Sequence, residues 1–245
     1  MSTPYLFIDS KQVDSKTINI EDIDDIRHLY GPLRVKAGDF IYISDNKSFR
    51  YRAAIKRINK KEAILEIVER RPISEPIPRI TLFQCILKKT AMENAIQKTT
   101  EIGTSRIIPV ISSRTVADIK DNDQKMQRWQ KISDEASKQS KRDFKCLIGQ
   151  PLILEDIDTD SYGYFFVPYE GIPAAAGDDK RLEGISSASE IGYLIGPEGG
   201  LDPRETEFME KRGTELISLG KNILRAETAA VYFLSIMDFY IRSSK

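Results

Sequence analysis

Ile191-Gly192-Tyr193-Leu194-Ile195 runs directly into Gly196-Pro197-Glu198-Gly199-Gly200, and this junction decides the fold. An apolar run of this length, bounded by a turn, suits a strand buried on both faces of a parallel sheet. Three glycines let the backbone that follows come close to a ligand, and Pro197 stiffens the turn. Asp202 then supplies a helix N-cap, with Glu205 three residues on, before a helix over Pro203–Arg212. A second strand, Thr214–Ser218, meets a second turn, Gly220-Lys221-Asn222-Ile223-Leu224-Arg225, before a closing apolar helix over Glu227–Arg242.

Working back from this junction, the same rhythm begins at Arg79. Arg79–Leu87 reads as a strand, and Thr90–Ile102 as a helix with Thr90 as N-cap and Glu93 at the capping-box position. Gly103 ends that helix. Ile107–Ile111 is a strand, and Lys125–Arg142 a long helix with Trp129, Ile132, Ala136 and Gln139 on one face. Tyr164–Val167 is another strand. Gly171–Ser189 is polar, with weak helical signals only. Strands alternating with helices predict an α/β domain with a parallel sheet covered on both faces.

Residues 1–71 read differently. Tyr5–Asp9, Gln12–Val13, Asp39–Ser44, Arg50–Ile58 and Ala63–Glu69 are strand-like, and Asp22–Tyr30 is the one helix, capped near Asp22 or Asp24. A small β-barrel is expected. The segment Arg71-Pro72-Ile73-Ser74-Glu75-Pro76-Ile77-Pro78 carries three prolines and reads as a linker, dividing the chain into 1–72 and 73–245.

Composition removes several classes. Cys85 and Cys146 give no disulfide framework, and a single histidine, His28, makes a metal site or a hydrolase triad a poor fit. Met1–Ser10 lacks a basic region followed by an apolar stretch, so a cytoplasmic protein without membrane association is expected. Net charge is zero, yet residues 1–145 hold 28 Lys+Arg against 20 Asp+Glu, and residues 146–245 hold 9 against 17. Any polyanion is therefore expected to meet the first part.

Ligands of open parallel sheets bind beyond the carboxyl ends of the strands. Both glycine turns fall there. Ile223 and Leu224 place apolar side chains in a loop, which suits a wall against a flat uncharged ring. Neither turn gives the G-x-G-x-x-G dinucleotide pattern, and Gly213…Gly220-Lys221-Asn222 has the wrong spacing and no Ser or Thr for a P-loop.

Ile195-Gly196-Pro197-Glu198-Gly199-Gly200 with Glu205, and Leu219-Gly220…Ile223-Leu224-Arg225-Ala226-Glu227-Thr228-Ala229, resemble the paired signatures of the 16S ribosomal RNA uridine-N3 methyltransferases. Lys98-Thr99-Thr100-Glu101-Ile102-Gly103, the Trp129…Arg142 helix and His28-Leu29…Leu33-Arg34…Gly38-Asp39 resemble further motifs of that family in the same order. The resemblance implies a SPOUT-class domain tied in a trefoil knot, preceded by a PUA-like RNA-binding barrel. It also implies S-adenosylmethionine as methyl donor, 16S rRNA in the small ribosomal subunit as partner, and a homodimer. The donor pocket is then expected from Leu194, Ile195, Gly196, Pro197, Glu198, Gly199, Gly200, Leu219, Gly220, Ile223, Leu224, Arg225, Thr228 and Ala229. The sequence departs from the family at Ile102, at Ser113-Arg114, at Asn46 and at Met1–Asp9, where an Arg-Phe pair is missing.

Methylation at uridine N3 requires loss of a proton and leaves negative charge over O2, N3 and O4. An arginine near those oxygens stabilises that charge. Arg225 is the first candidate, Arg142 the second and Arg114 the third, with Glu227 or Glu198 as proton acceptor. Arg34, Arg114 and Arg142 are the expected RNA contacts. Val231, Phe233, Leu234, Met237 and Tyr240 are expected to face either a second subunit or the chain's own core. A knotted RNA-binding methyltransferase-like protein acting on another base, and a phosphate-binding enzyme of another class, are the competing readings.

Overall fold

The computed structural model describes residues 3–115, 122–173 and 180–244. The chain forms two compact units, Met1–Glu75 with Ser137–Lys145, and Pro76–Ala136 with Cys146–Lys245. The linear division at residue 72 did not contain the assignment of Ser137–Lys145 to the first unit.

The first unit is a mixed five-stranded half-barrel. Its strands are β1 (Tyr5–Phe7), β2 (Thr17–Ile20), β3 (Phe40–Ser44), β4 (Phe49–Ile58) and β5 (Ala63–Pro72), with helix α1 (Ile23–Tyr30). Their order is β1-β3-β4-β5-β2; β1 pairs with β3 in parallel and the other neighbours are antiparallel. Ile18, Ile20, Ile41, Ile43, Ala53 and Leu65 form its core with Ile26 and Leu29 of α1. Asp22 caps α1, accepting the Asp24 and Asp25 N–H groups at 2.9 Å. At the β3–β4 turn, Asp45 Oδ1 accepts the N–H groups of Lys47, Ser48 and Phe49. Asn46 there takes φ 55°, the left-handed conformation that Asn tolerates best after Gly. The strand expected at Gln12–Val13 is instead a 3-10 turn over Ser10–Gln12, because Asp9 and Gln12 form a reciprocal capping box.

The second unit carries β6 (Arg79–Cys85), α2 (Lys89–Ile102), β7 (Arg106–Ile111), α3 (Asn122–Gln139), β8 (Leu147–Ile148), β9 (Leu152–Ile153), β10 (Tyr164–Pro168), β11 (Glu190–Ile195), α4 (Pro203–Lys211), β12 (Glu215–Ile217) and α5 (Ala226–Ser243). The last residues of α3 belong to the first unit. The sheet is parallel throughout, in the order β12-β10-β11-β6-β7-β8, with β9 also beside β7. Alternation along β11 sends Ile191, Tyr193 and Ile195 to a core with Met92, Trp129, Phe233 and Leu234, while Leu194 joins Phe83, Phe165 and Met209 on the other face.

Three local expectations change. Helix α2 starts at Lys89 with Lys88 at the N-cap and no side-chain cap, so Thr90 is not the cap. Glu93, expected in a capping box, pairs with Arg128 at 2.7 Å. Helix α3 ends at Gln139, so Arg142 lies beyond it; Lys141 takes φ 56°, a left-handed conformation incompatible with continuing the helix. Within the loop read at Gly171–Ser189, Lys180–Leu182 and Ile185–Ser187 are short 3-10 turns, and residues 174–179 lie outside the described residues.

Candidate methyl-donor site

Because the sheet is parallel, the ends of β6, β10, β11 and β12 open toward one edge, and the two glycine turns leave from there. A cavity of about 720 Å³ sits at that edge. Its walls come from the start of α2 (Lys88, Lys89, Thr90, Ala91, Asn94), the end of β10 (Pro168, Glu170), the first turn (Ile195, Gly196, Pro197, Glu198, Gly200, Leu201) and the second turn with α5 (Ile223, Leu224, Arg225, Ala226, Glu227, Ala229). A smaller hollow of about 90 Å³ adjoins it, lined by Leu219 and Gly220 and sharing Pro168, Glu170, Ile223, Leu224 and Ala229.

The first turn is held firmly. Gly200 N–H donates to the Pro197 carbonyl at 2.9 Å, closing a tight turn, with Gly200 at φ 69°. A Cβ on Gly196 would stand 3.1 Å from Leu201 Cγ, and one on Gly200 would run into the Glu170 carboxylate. Position 200 therefore favours glycine for its backbone conformation, and Gly196 packs tightly against Leu201. The Glu198 carboxylate accepts the Lys88 N–H at 2.8 Å. Arg114 donates to the carbonyls of Gly199 (3.1 Å) and Leu201 (3.3 Å) and pairs with Asp202 at 3.0 Å.

Asp202 caps α4 and is held below the usual carboxylate range by the Arg204 N–H, and then by Arg114. Buried Glu205 closes the capping box on the Asp202 N–H at 2.8 Å, and its other oxygen accepts the Ser113 N–H at 2.7 Å. The expected cap at Asp202 and Glu205 is thus present, and it also ties the end of β7 to the turn.

The second turn is looser. Gly220 takes φ 110°, and Ile223 is 85% exposed. Arg225 occupies the N-cap of α5 in an extended conformation without capping through its side chain, and its carbonyl accepts the Ala229 N–H at 2.8 Å. Its guanidinium makes no ion pair or hydrogen bond among the described residues, so no salt bridge pins it. Glu227 lies in the first turn of α5, half-buried at the cavity wall, and its carboxylate takes no backbone N–H of the helix.

The expected residues separate as follows. Ile195, Gly196, Pro197, Glu198, Gly200, Ile223, Leu224, Arg225 and Ala229 line the cavity, together with Glu227. Leu219 and Gly220 line the adjoining hollow. The Leu194 side chain does not reach the cavity, because strand alternation buries it on the opposite face. Gly199 and Thr228 are outside the lining; Gly199 instead offers its carbonyl to Arg114. Arg114 spends its guanidinium clamping the first turn. Arg142 belongs to the first unit, where its carbonyl accepts the Tyr5 hydroxyl at 2.6 Å and its Nε donates to the Phe144 carbonyl at 3.2 Å. Arg34 is exposed in the first unit at φ 50°.

Sequence reading missed the α2 wall and Glu170. Neither carries a local signal, because strand order rather than chain order brings them to the turns.

Comparison with known proteins shows the family. Residues 74–238 match the family model described as RNA methyltransferase domain, and residues 20–68 the model described as RNA methyltransferase PUA domain. The fold is therefore that of an RNA methyltransferase. Ribosomal RNA small subunit methyltransferase E of Aquifex aeolicus is 31% identical over 190 residues, covering 76% of this chain and 80% of the relative. The protein of the same name from Mesomycoplasma hyopneumoniae is 32% identical over 206 residues, covering 83% and 86%. A crystal structure of ribosomal RNA small subunit methyltransferase E from Neisseria gonorrhoeae bound to S-adenosyl methionine superposes with a TM-score of 0.83 at 25% identity, covering 97% of this chain and 98% of the other. The chain belongs to this family, the ribosomal RNA small subunit methyltransferases E.

Proposed function

We propose that the cavity binds S-adenosylmethionine and that the enzyme methylates N3 of a uridine in the 16S rRNA of the small ribosomal subunit. The observation that carries this reading is the cavity itself. Its volume falls within the usual range for small-molecule sites. Gly196 and Gly200 bring backbone into its wall, and Ile195, Pro168, Leu224 and Ala229 offer apolar walls for an adenine ring. When bound, the donor supplies an electrophilic methyl group on a positively charged sulfur.

The remaining chemistry falls to the chain's own side chains. Arg225 is free to place its guanidinium against the uracil oxygens and stabilise the charge that builds as N3 loses its proton. Glu227, free of the helix backbone and half-buried, takes that proton. Arg142 is the second candidate for the arginine role. Arg34 and Arg142 contact RNA from the PUA-like unit, with Arg114 contributing only from its clamped position.

A trefoil knot at the two turns, the division into an RNA-binding unit over 1–72 and a SPOUT unit over 73–245, and a cytoplasmic location belong to the same reading. So does a homodimer. Phe233, Leu234 and Met237 are fully buried in the chain's own core and are unavailable to a partner, whereas Tyr232 (47% exposed) and Phe239 (62% exposed) leave an apolar face on α5. Among the described residues no helix is long and apolar enough to cross a membrane.

Mass spectrometry of 16S rRNA from a deletion strain tests the assignment. Loss of the N3-methyluridine mark, restored by the wild-type chain, is expected; persistence of the mark rejects it.

A further inference from the structure

Glu170 is the second residue past β10, and β10 lies between β11 and β12 in the sheet. It therefore emerges between the two glycine-bearing turns. The Tyr169 N–H donates to the Ile217 carbonyl at 3.0 Å and fixes the backbone just before it. The Glu170 carboxylate lies against Gly200, and Glu170 lines both the main cavity and the adjoining hollow. It has no hydrogen bond or ion pair among the described residues, whereas Glu198 is engaged by the Lys88 N–H. Glu170 is exposed at the cavity it lines with Pro168, Leu224 and Ala229, and a carboxylate there without a protein partner is available to a positive charge brought in by a ligand.

The methyl donor carries such a charge on sulfur; its demethylated product has a neutral thioether in the same place and is otherwise alike. We propose that Glu170 is a specificity-determining residue that makes the cavity discriminate the sulfonium donor from the neutral product. This rests on the donor reading above and adds to it a means of exchanging spent product for fresh donor.

The test is calorimetry on the full chain with S-adenosylmethionine and S-adenosylhomocysteine, comparing wild type, Glu170→Gln and Glu227→Gln. Glu170→Gln is expected to weaken the donor about tenfold and leave the product within about twofold. Equal weakening of both ligands would assign Glu170 to a part they share, and no change, or the same selectivity loss in Glu227→Gln alone, would remove its role; each overturns the proposal. Wild type binding neither ligand would sink the donor reading and this inference with it. Salt gives a variant-free check: raising ionic strength is expected to weaken the donor more than the product on wild type, and parallel curves contradict the proposal.

Discussion

The Glu198 carboxylate accepts the backbone N–H of Lys88 at 2.8 Å, so the first glycine turn caps helix α2 across 110 residues of sequence. The first N–H groups of a helix have no partner within it, and here one is satisfied by a residue of the cavity wall. Glu198→Ala is expected to cost about 1 kcal/mol of stability, the usual size of a lost N-cap. Denaturant unfolding measures it. An unchanged midpoint would show that the contact contributes nothing.

Arg225→Ala should fold as wild type, since no described partner holds its guanidinium. Turnover is expected to fall about a hundredfold or more, the scale of removing one group that stabilises developing negative charge. Single-turnover methylation of rRNA, with thermal unfolding as control, reads both. Full activity would move the role to Arg142.

Gly200 and Gly199 make a matched pair. Gly200→Ala forces a side chain into φ 69° and against the Glu170 carboxylate, whereas a Cβ on Gly199 would only touch Arg114 at 3.7 Å. The first change is expected to cost about 1–2 kcal/mol from the left-handed backbone alone and to weaken the donor; the second should be tolerated. Equal donor affinities in the two variants would contradict the close packing of the turn.

The α5 surface gives a contrast of its own. Phe239→Asp, on the exposed face, is expected to leave the monomer folded and to convert a dimer to monomers in sedimentation. Phe233→Ala, fully buried, is expected to lose about 3–5 kcal/mol of stability whatever the oligomeric state. A dimer that survives Phe239→Asp would place the interface elsewhere.

Acid should loosen the first turn. The Asp202 pKa is lowered in the folded chain, so its contribution is present above the unfolded carboxylate value and is lost as pH falls through the folded one. Asp202→Asn is expected to flatten the acid limb of the stability curve while keeping most of the cap. An unaltered acid limb would show that the carboxylate's charge is irrelevant there. The Cys85 thiol, pushed up to about 12 by burial, is expected to resist alkylation at pH 8 until the chain unfolds.

Local chemistry was legible where the responsible atoms are close in sequence. The Asp202–Glu205 capping box, the buried strand ending at Ile195 and the apolar α5 depend on spacings of three residues, on alternation and on helical period, and each appears where the sequence places it. Thr90 is not the cap because α2 already begins at Lys89, and the Lys88 N–H is met by Glu198 from a distant segment. Arg142 left its helix because Lys141 turns left-handed and the segment joins the first unit.

The alternation of elements, the two glycine turns at strand ends and the presence of Arg225 just before α5 follow from the sequence; that its guanidinium is unpaired among the described residues does not. The tertiary structure alone decided what faces those turns. The order β12-β10-β11-β6-β7 is not the order of the chain, so Glu170 and the start of α2 enter the cavity through long-range pairing. Likewise, which apolar residues of α5 stay exposed depends on packing against α2 and the sheet. Both are set by burial over the whole fold, which no short stretch of sequence encodes.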